Sequence, residues 1–119
     1  MIFNITPIPK PRMTRADSWK KRPCVVRYWD YKDNLTLQAR ALRFTVEEHL
    51  DIEFHIPMPK SWSKKKKAKM LGNPHQQTPD IDNLSKAFLD SLCEQDNYVW
   101  SLVAKKYWSD KGFIKINRI

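Results

Sequence analysis

Between Leu50 and Ile56 the chain alternates without a break, Leu50, Ile52, Phe54 and Ile56 against Asp51, Glu53 and His55. That period of two places one apolar face on an extended strand, which the rest of the chain has to cover. Pro57 and Pro59 end the run. Upstream, from about Tyr28, the apolar positions Tyr28, Tyr31, Leu35, Ala39 and Leu42 recur at three- and four-residue steps, predicting an amphipathic helix with Lys32, Arg40 and Arg43 on or near its polar side. Downstream, Leu84, Phe88 and Leu92 repeat at i, i+4 and i+8, and Asp82, Lys86 and Asp90 follow the same spacing roughly opposite. Thr78 before Pro79 reads as N-cap and first helical position, which puts Asp80 and Asp82 in or near the first turn. Between these two helices, Ser61-Trp62-Ser63 can cap a short helix through Met70 or Leu71 that Gly72 terminates.

Further short strands are expected at residues 2–6, from Tyr98 to Trp108 and from Phe113 to Ile119, with Ser109-Asp110-Lys111-Gly112 as a hairpin turn. Pro7, Pro9, Pro11 and Pro23 bracket a basic stretch with no helical period, read as an extended loop. The order is β-α-β-α-α-β-β. It predicts an α+β fold, a mixed four-stranded sheet packed by helices, and 119 residues make residues 1–119 a single domain.

Charge distribution narrows the function. The formal net charge is +9, which predicts a polyanionic partner, nucleic acid or an anionic membrane. No apolar run approaches the roughly 18 residues that span a bilayer. The start, Met1 to Pro7, has neither the basic nor the long apolar region of a signal peptide, and no membrane role is expected. Cys24 and Cys93 form no metal spacing or disulfide framework, and His49, His55 and His75 are too scattered for a zinc site. Two segments hold over half of the cations. One contains Lys10, Arg12, Arg15, Lys20, Lys21 and Arg22; the other contains Lys60, Lys64, Lys65, Lys66, Lys67 and Lys69. Between Thr78 and Asn97 the sign reverses, with Asp80, Asp82, Asp90, Glu94 and Asp96 facing only Lys86. Phosphates would be repelled there unless a divalent cation neutralised the acids.

Two carboxylates two residues apart at a helix mouth have a purely structural reading. First-turn acids stabilise the helix dipole by about 0.3–1 kcal/mol each, and Asp is a common N-cap. Capping does not account for Lys86 one turn after Asp82, or for a further acid where a strand begins. Mg²⁺ takes oxygen ligands, commonly one or two carboxylates with water and phosphate, and a nearby lysine can stabilise charge developing in phosphoryl transfer.

The run Pro79-Asp80-Ile81-Asp82-Asn83-Leu84-Ser85-Lys86-Ala87-Phe88-Leu89-Asp90-Ser91-Leu92 resembles the D-x-D-N-L-x-K-A-x-x-D-x-L signature of RusA-like Holliday-junction resolvases. The resemblance extends to chain length and element order, with Pro9-Lys10-Pro11-Arg12 as the Pro/basic loop, Tyr31-Lys32 on the first helix and a closing hairpin. It implies a small, basic, homodimeric, Mg²⁺-dependent endonuclease of the type widespread in phages and prophages, working in the bacterial cytoplasm on four-way DNA, with Mn²⁺ as a substitute metal. Residue by residue, it makes Asp80 and Asp82 the first two metal ligands and Lys86 the catalytic lysine. Asp96 is the third carboxylate, placed just before the strand at Tyr98, with Glu94 left open. Asp90 becomes a structural residue, a partner one turn from Lys86. In this picture metal held by Asp80, Asp82 and Asp96 assists phosphodiester hydrolysis, and a two-fold dimer makes paired nicks.

The two basic segments supply the DNA surface: Lys10, Arg12, Arg15, Lys20, Lys21 and Arg22 on one, Lys64, Lys65, Lys66 and Lys67 on the other. A solvated helix face is the plain alternative for the lysine run. Trp19 and Trp62 are candidates for stacking on bases, against ordinary packing, whereas Trp29, Trp100 and Trp108 read as core or dimer-interface residues. A DNA-binding accessory protein without catalysis, and a less specific branched-DNA or flap nuclease, are the competing functional readings.

Overall fold

The structure, a computed structural model, describes residues 1–12 and 22–117. Seven elements follow in the order β1 (Ile2–Phe3), α1 (Pro23–Leu42), β2 (His49–Pro57), α2 (Lys64–Met70), α3 (Ile81–Leu92), β3 (Ser101–Ser109) and β4 (Phe113–Ile116). The α+β class and the element order are as expected from the sequence. The four strands form one mixed sheet in the order β1-β4-β2-β3, with β2 parallel to β3 and antiparallel to β4.

β2 is the centre of the molecule because both of its edges are paired. Its even residues Leu50, Ile52, Phe54 and Ile56 are buried, and they join Phe3, Ile114 and Ile116 in one core with Tyr28, Tyr31, Leu35 and Ala39 of α1 and Leu84, Ala87 and Phe88 of α3. Burying each of the large side chains is worth about 1.5–3 kcal/mol, so this layer of helix on sheet dominates the stability. Phe3 meets Phe44 and Phe88 edge-on at centroid distances of 5.4 and 5.9 Å, locking the N-terminal strand to α3. The odd face of β2 is tied differently: His55 stacks on Phe113 at 4.0 Å and on Tyr107 at 5.3 Å, its partners on either side in the register. Glu53 accepts from Asn117 at 2.7 Å and lies 3.0 Å from His55.

Two expectations change. The helix α1 begins at Pro23, five residues before the apolar repeat becomes visible, because proline's missing N–H costs nothing in the first turn. The last two strands are not a hairpin, because β2 runs between them. Ser109 pairs with Pro57 and Phe113 pairs with His55, so residues 110–112 cross over the C-terminal end of β2. Two inter-strand spacings come to about 9.6 Å, within reach of three residues at about 3.3 Å each. A polar turn ending in glycine signals a reversal but not what lies between the strands. Here the ring of Phe113 on His55, and Ile114 and Ile116 beside Phe54 and Ile52, favour β2 as the neighbour. Among the described residues no helix is long and apolar enough to cross a membrane.

Candidate functional site

The acidic helix mouth is built from both ends of a strand-edge loop. Residues 72–79 lie along the free edge of β3: Gly72 N–H donates to Trp108 O, Trp108 N–H to Asn73 O and His75 N–H to Lys106 O, each at 3.0 Å. Gly72 takes φ of +81°, a left-handed turn that suits glycine, where α2 gives way to this loop. Trp108 is buried and sits under His75 and Trp62, at centroid distances of 4.2 and 4.8 Å. Burial pushes the His75 imidazole below the ordinary histidine pKa, with the Lys106 charge adding to the effect. Lys106 closes the arrangement: its ammonium donates to the carbonyls of Gln77 at 2.8 Å and Pro79 at 2.9 Å. The residue after Pro79 is Asp80.

Asp80, not Thr78, is the N-cap of α3; its backbone is extended, and its carbonyl accepts the first helical bond from Leu84 at 3.1 Å. Helical geometry begins only at Ile81, so Pro79 precedes the helix instead of opening it. The Asp80 side chain makes no capping hydrogen bond, although Asp at this position usually does. Asp82 is exposed, with Oδ1 2.9 Å from the backbone N–H of Asn83. Lys86, one turn later on the same face, is exposed and has no hydrogen bond or ion pair among the described residues. On the opposite face Leu84, Ala87 and Phe88 are fully buried, while Ser85 and Ser91 bond back to Ile81 O and Ala87 O at 2.8 and 2.6 Å. The apolar stripe thus fixes which way the acids and the lysine lie.

Asp96 is not with them. It lies beyond Leu92, and α3 is about 18 Å long at 1.5 Å per residue. Its carbonyl accepts from Val99 N–H in the turn before β3, close to Tyr98, whose hydroxyl donates to Val46 O. Within the single chain an acid before the strand does not join the acids before the helix, for a topological reason. The strand runs back along the helix, so its far end, at Lys106, meets the helix mouth. Glu94 lies at that same distant end, lining a cleft with Asp90 and Cys93. Among the described residues no group of three His, Cys, Asp or Glu side chains comes together as a metal cage. Asp90 is not the partner of Lys86 either. It holds Lys10 at 2.6 Å, a hydrogen-bonded pair that keeps the Lys10 ammonium above its ordinary pKa.

Of the expected DNA contacts, Lys10 is therefore engaged in the protein, and Arg12 is exposed with its carbonyl accepting from Arg22 Nη2 at 2.8 Å. Arg15, Lys20 and Lys21, with Trp19, lie outside the described residues. Lys64, Lys65, Lys66 and Lys67 form most of α2, which buries none of its residues. Ser63 caps it by accepting from Lys66 N–H at 3.2 Å, and the Lys66 ammonium sits 4.3 Å above the Trp62 ring. Trp62 is thus packed between Lys66 and Trp108, which anchors the lysine helix beside the 72–79 loop. Sequence reasoning missed Lys106, whose role depends on the register of β3 against the loop; of the two readings of Trp29, core or dimer interface, its 41% exposure removes the core.

No curated protein and no solved structure matches this chain. The family model for endodeoxyribonuclease RusA matches residues 3–117. With nearly the whole sequence aligned, the chain belongs to the RusA endodeoxyribonuclease family, enzymes of the Holliday junction.

Proposed function

We propose that the protein is a Mg²⁺-dependent resolvase that nicks four-way DNA junctions symmetrically as a homodimer. The observation that carries this reading is the N-cap carboxylate of Asp80: it makes no capping bond, and Asp82 stands two residues on with Lys86 a turn beyond. Two exposed carboxylates at one helix mouth fit a hard cation that also takes water and substrate phosphate as ligands. Bound there, the metal would activate a water and stabilise the departing 3′ oxygen. Asp80 and Asp82 would hold it, leaving positions for water and substrate phosphate. Lys86 would face the same phosphate and offset the charge that develops on its oxygens. Lys106, through Gln77 O and Pro79 O, would fix the height of Asp80 above β3.

The lysines of α2 would bring DNA to the site without reading its sequence, as phosphate contacts do. The homodimer is supported by the other half of β3. Trp100, just before β3, and Leu102 and Val103 within it are 77%, 46% and 39% exposed; they place apolar side chains on both faces of an edge strand that a two-fold-related copy would cover. A two-fold dimer presents identical sites to strands of like polarity, and paired nicks then yield two duplexes. The test is cleavage of a synthetic four-way junction with Mg²⁺ or Mn²⁺, alongside linear duplex and flap controls. Asp82→Asn should abolish nicking while junction binding is retained, and full activity in that variant would sink the assignment.

A further inference from the structure

The cleft lined by Asp90, Cys93 and Glu94 lies between α1, the proline-rich segment and the far end of α3, with a volume of about 370 Å³. Trp29 and Lys32 of α1 form one wall, Lys10 another, and Asp90 and Glu94 a third. Trp29 is 41% exposed, whereas its neighbours Tyr28 and Tyr31 on the same helix are 5% and 4% exposed. The Lys10–Asp90 pair, at 2.6 Å, joins two of the walls and so defines the space in front of the indole. Among the described residues lining the cleft, Lys10 and Lys32 balance Asp90 and Glu94, unlike α2 with its unopposed lysines. With these described charges balanced, an exposed indole and donors and acceptors at its rim, the cleft is not built for phosphate alone. It suits a flat group with polar edges.

We infer that this cleft receives an unstacked nucleobase of the bound DNA, its ring on Trp29 and the flanking phosphate on Lys32. The inference rests on the nuclease reading and adds to it the element that tells branched from linear DNA. Asp82, Lys86 and Asp90 descend one face of α3, so the cleft lies about 12 Å from Asp82, or three to four base steps of duplex rise. A base leaves the stack at least cost where pairing is already interrupted, as at the exchange point of a four-way junction. Base–aromatic stacking tolerates any base because each has a π-face. Of the other described tryptophans, Trp62 lies between Lys66 and Trp108, Trp108 is buried, and Trp100, 77% exposed, stands at the β3 edge proposed for the dimer and outside the lining of this cleft.

The experiment is equilibrium binding in chelator, so that affinity is read apart from cleavage. The probes are a four-way junction carrying 2-aminopurine at the exchange point and a linear duplex of equal length. Wild type should prefer the junction and change the 2-aminopurine fluorescence. Trp29→Ala should weaken junction binding about 5- to 150-fold and lose the fluorescence change, with duplex binding held within about twofold. Trp29→Phe should restore most of both, and Lys32→Ala should lower the salt slope of junction binding by about one. Trp29 is exposed on a helix, so the Ala variant should melt with wild type. Junction binding unchanged in Trp29→Ala, equal losses on junction and duplex, or an altered oligomeric state would each overturn the inference. If wild type prefers and cuts junctions while Trp29→Ala is unaffected, only this inference falls. If wild type neither prefers nor cuts them, the resolvase reading falls, and the inference with it.

Discussion

Replacing Lys106 by Met tests how the acidic helix mouth is held. The methionine side chain keeps much of the lysine stem's apolar reach but removes both hydrogen bonds to Gln77 O and Pro79 O. A hydrogen bond from a charged donor is worth about 1.5–3 kcal/mol when buried. The bond to Gln77 O is exposed and the bond to Pro79 O is part-buried, so the pair together is worth about 2–3 kcal/mol. For a domain of this size each kcal/mol moves Tm by roughly 3–6 °C, giving an expected drop of about 6–18 °C. Because the bonds are made immediately before Asp80, part of the loss should appear as a loosened carboxylate. The half-saturating Mg²⁺ concentration, in a cleavage titration and in calorimetric metal binding without DNA, should rise roughly 5- to 30-fold. Lys106→Arg retains a forked donor able to reach two carbonyls and should recover most of both effects. A Lys106→Met protein that melts with wild type and shows unchanged metal binding would refute the idea that this ammonium positions the site.

Two further outcomes follow from the same packing. His75 titrates below the ordinary histidine value because it is buried beside Trp108 and Lys106, so the unfolded chain binds its proton more readily than the folded one. Stability should therefore be greatest above about pH 6.5 and decline as the pH falls through and below that value, and His75→Phe should flatten this part of the curve in denaturant melts. If the slope between about pH 6.5 and 5 is unchanged by the substitution, another group is responsible. Gly112→Ala would place a Cβ 2.4 Å from Thr6 Oγ1 and 2.7 Å from Thr6 Cα, so the crossover turn would have to move away from the segment after β1. A loss of about 1–3 kcal/mol is expected by urea unfolding, and wild-type stability would contradict the close approach.

Much of this fold is legible in local pattern. The alternation at 50–56, the stripe Leu84-Phe88-Leu92 and the Ser63 cap each express a geometry a few residues long, and the structure realises each of them. What depends on long-range pairing is not legible. Nothing near Ser109 or Gly112 records that β2 will lie between the strands they join. The same gap affects the site. Asp80, Asp82 and Lys86 share one helix and are found together, whereas Asp96 is grouped with them by order along the chain and lies a helix length away. Lys106 carries no local signal at all. Trp29 illustrates a different limit: a helical period identifies Tyr28 and Tyr31 as inward, but an adjacent aromatic residue reads as core or interface until the neighbouring walls are known.

The insertion of β2 between β3 and β4 also bears on when the enzyme can exist. Among the described residues, the central strand has its first partner only after the chain has reached Ser101, and β1 pairs only with β4. Met1 N bonds to Ile116 O across 115 residues of sequence. During synthesis, α1 and α3 therefore emerge from the ribosome with no sheet to pack against, and their apolar stripes wait for the final strand. Folding dominated by such distant pairings is slow and begins late. The acidic helix mouth is thus made early as sequence but acquires its fixed shape only with β3 and β4, so a nascent chain has no working nuclease.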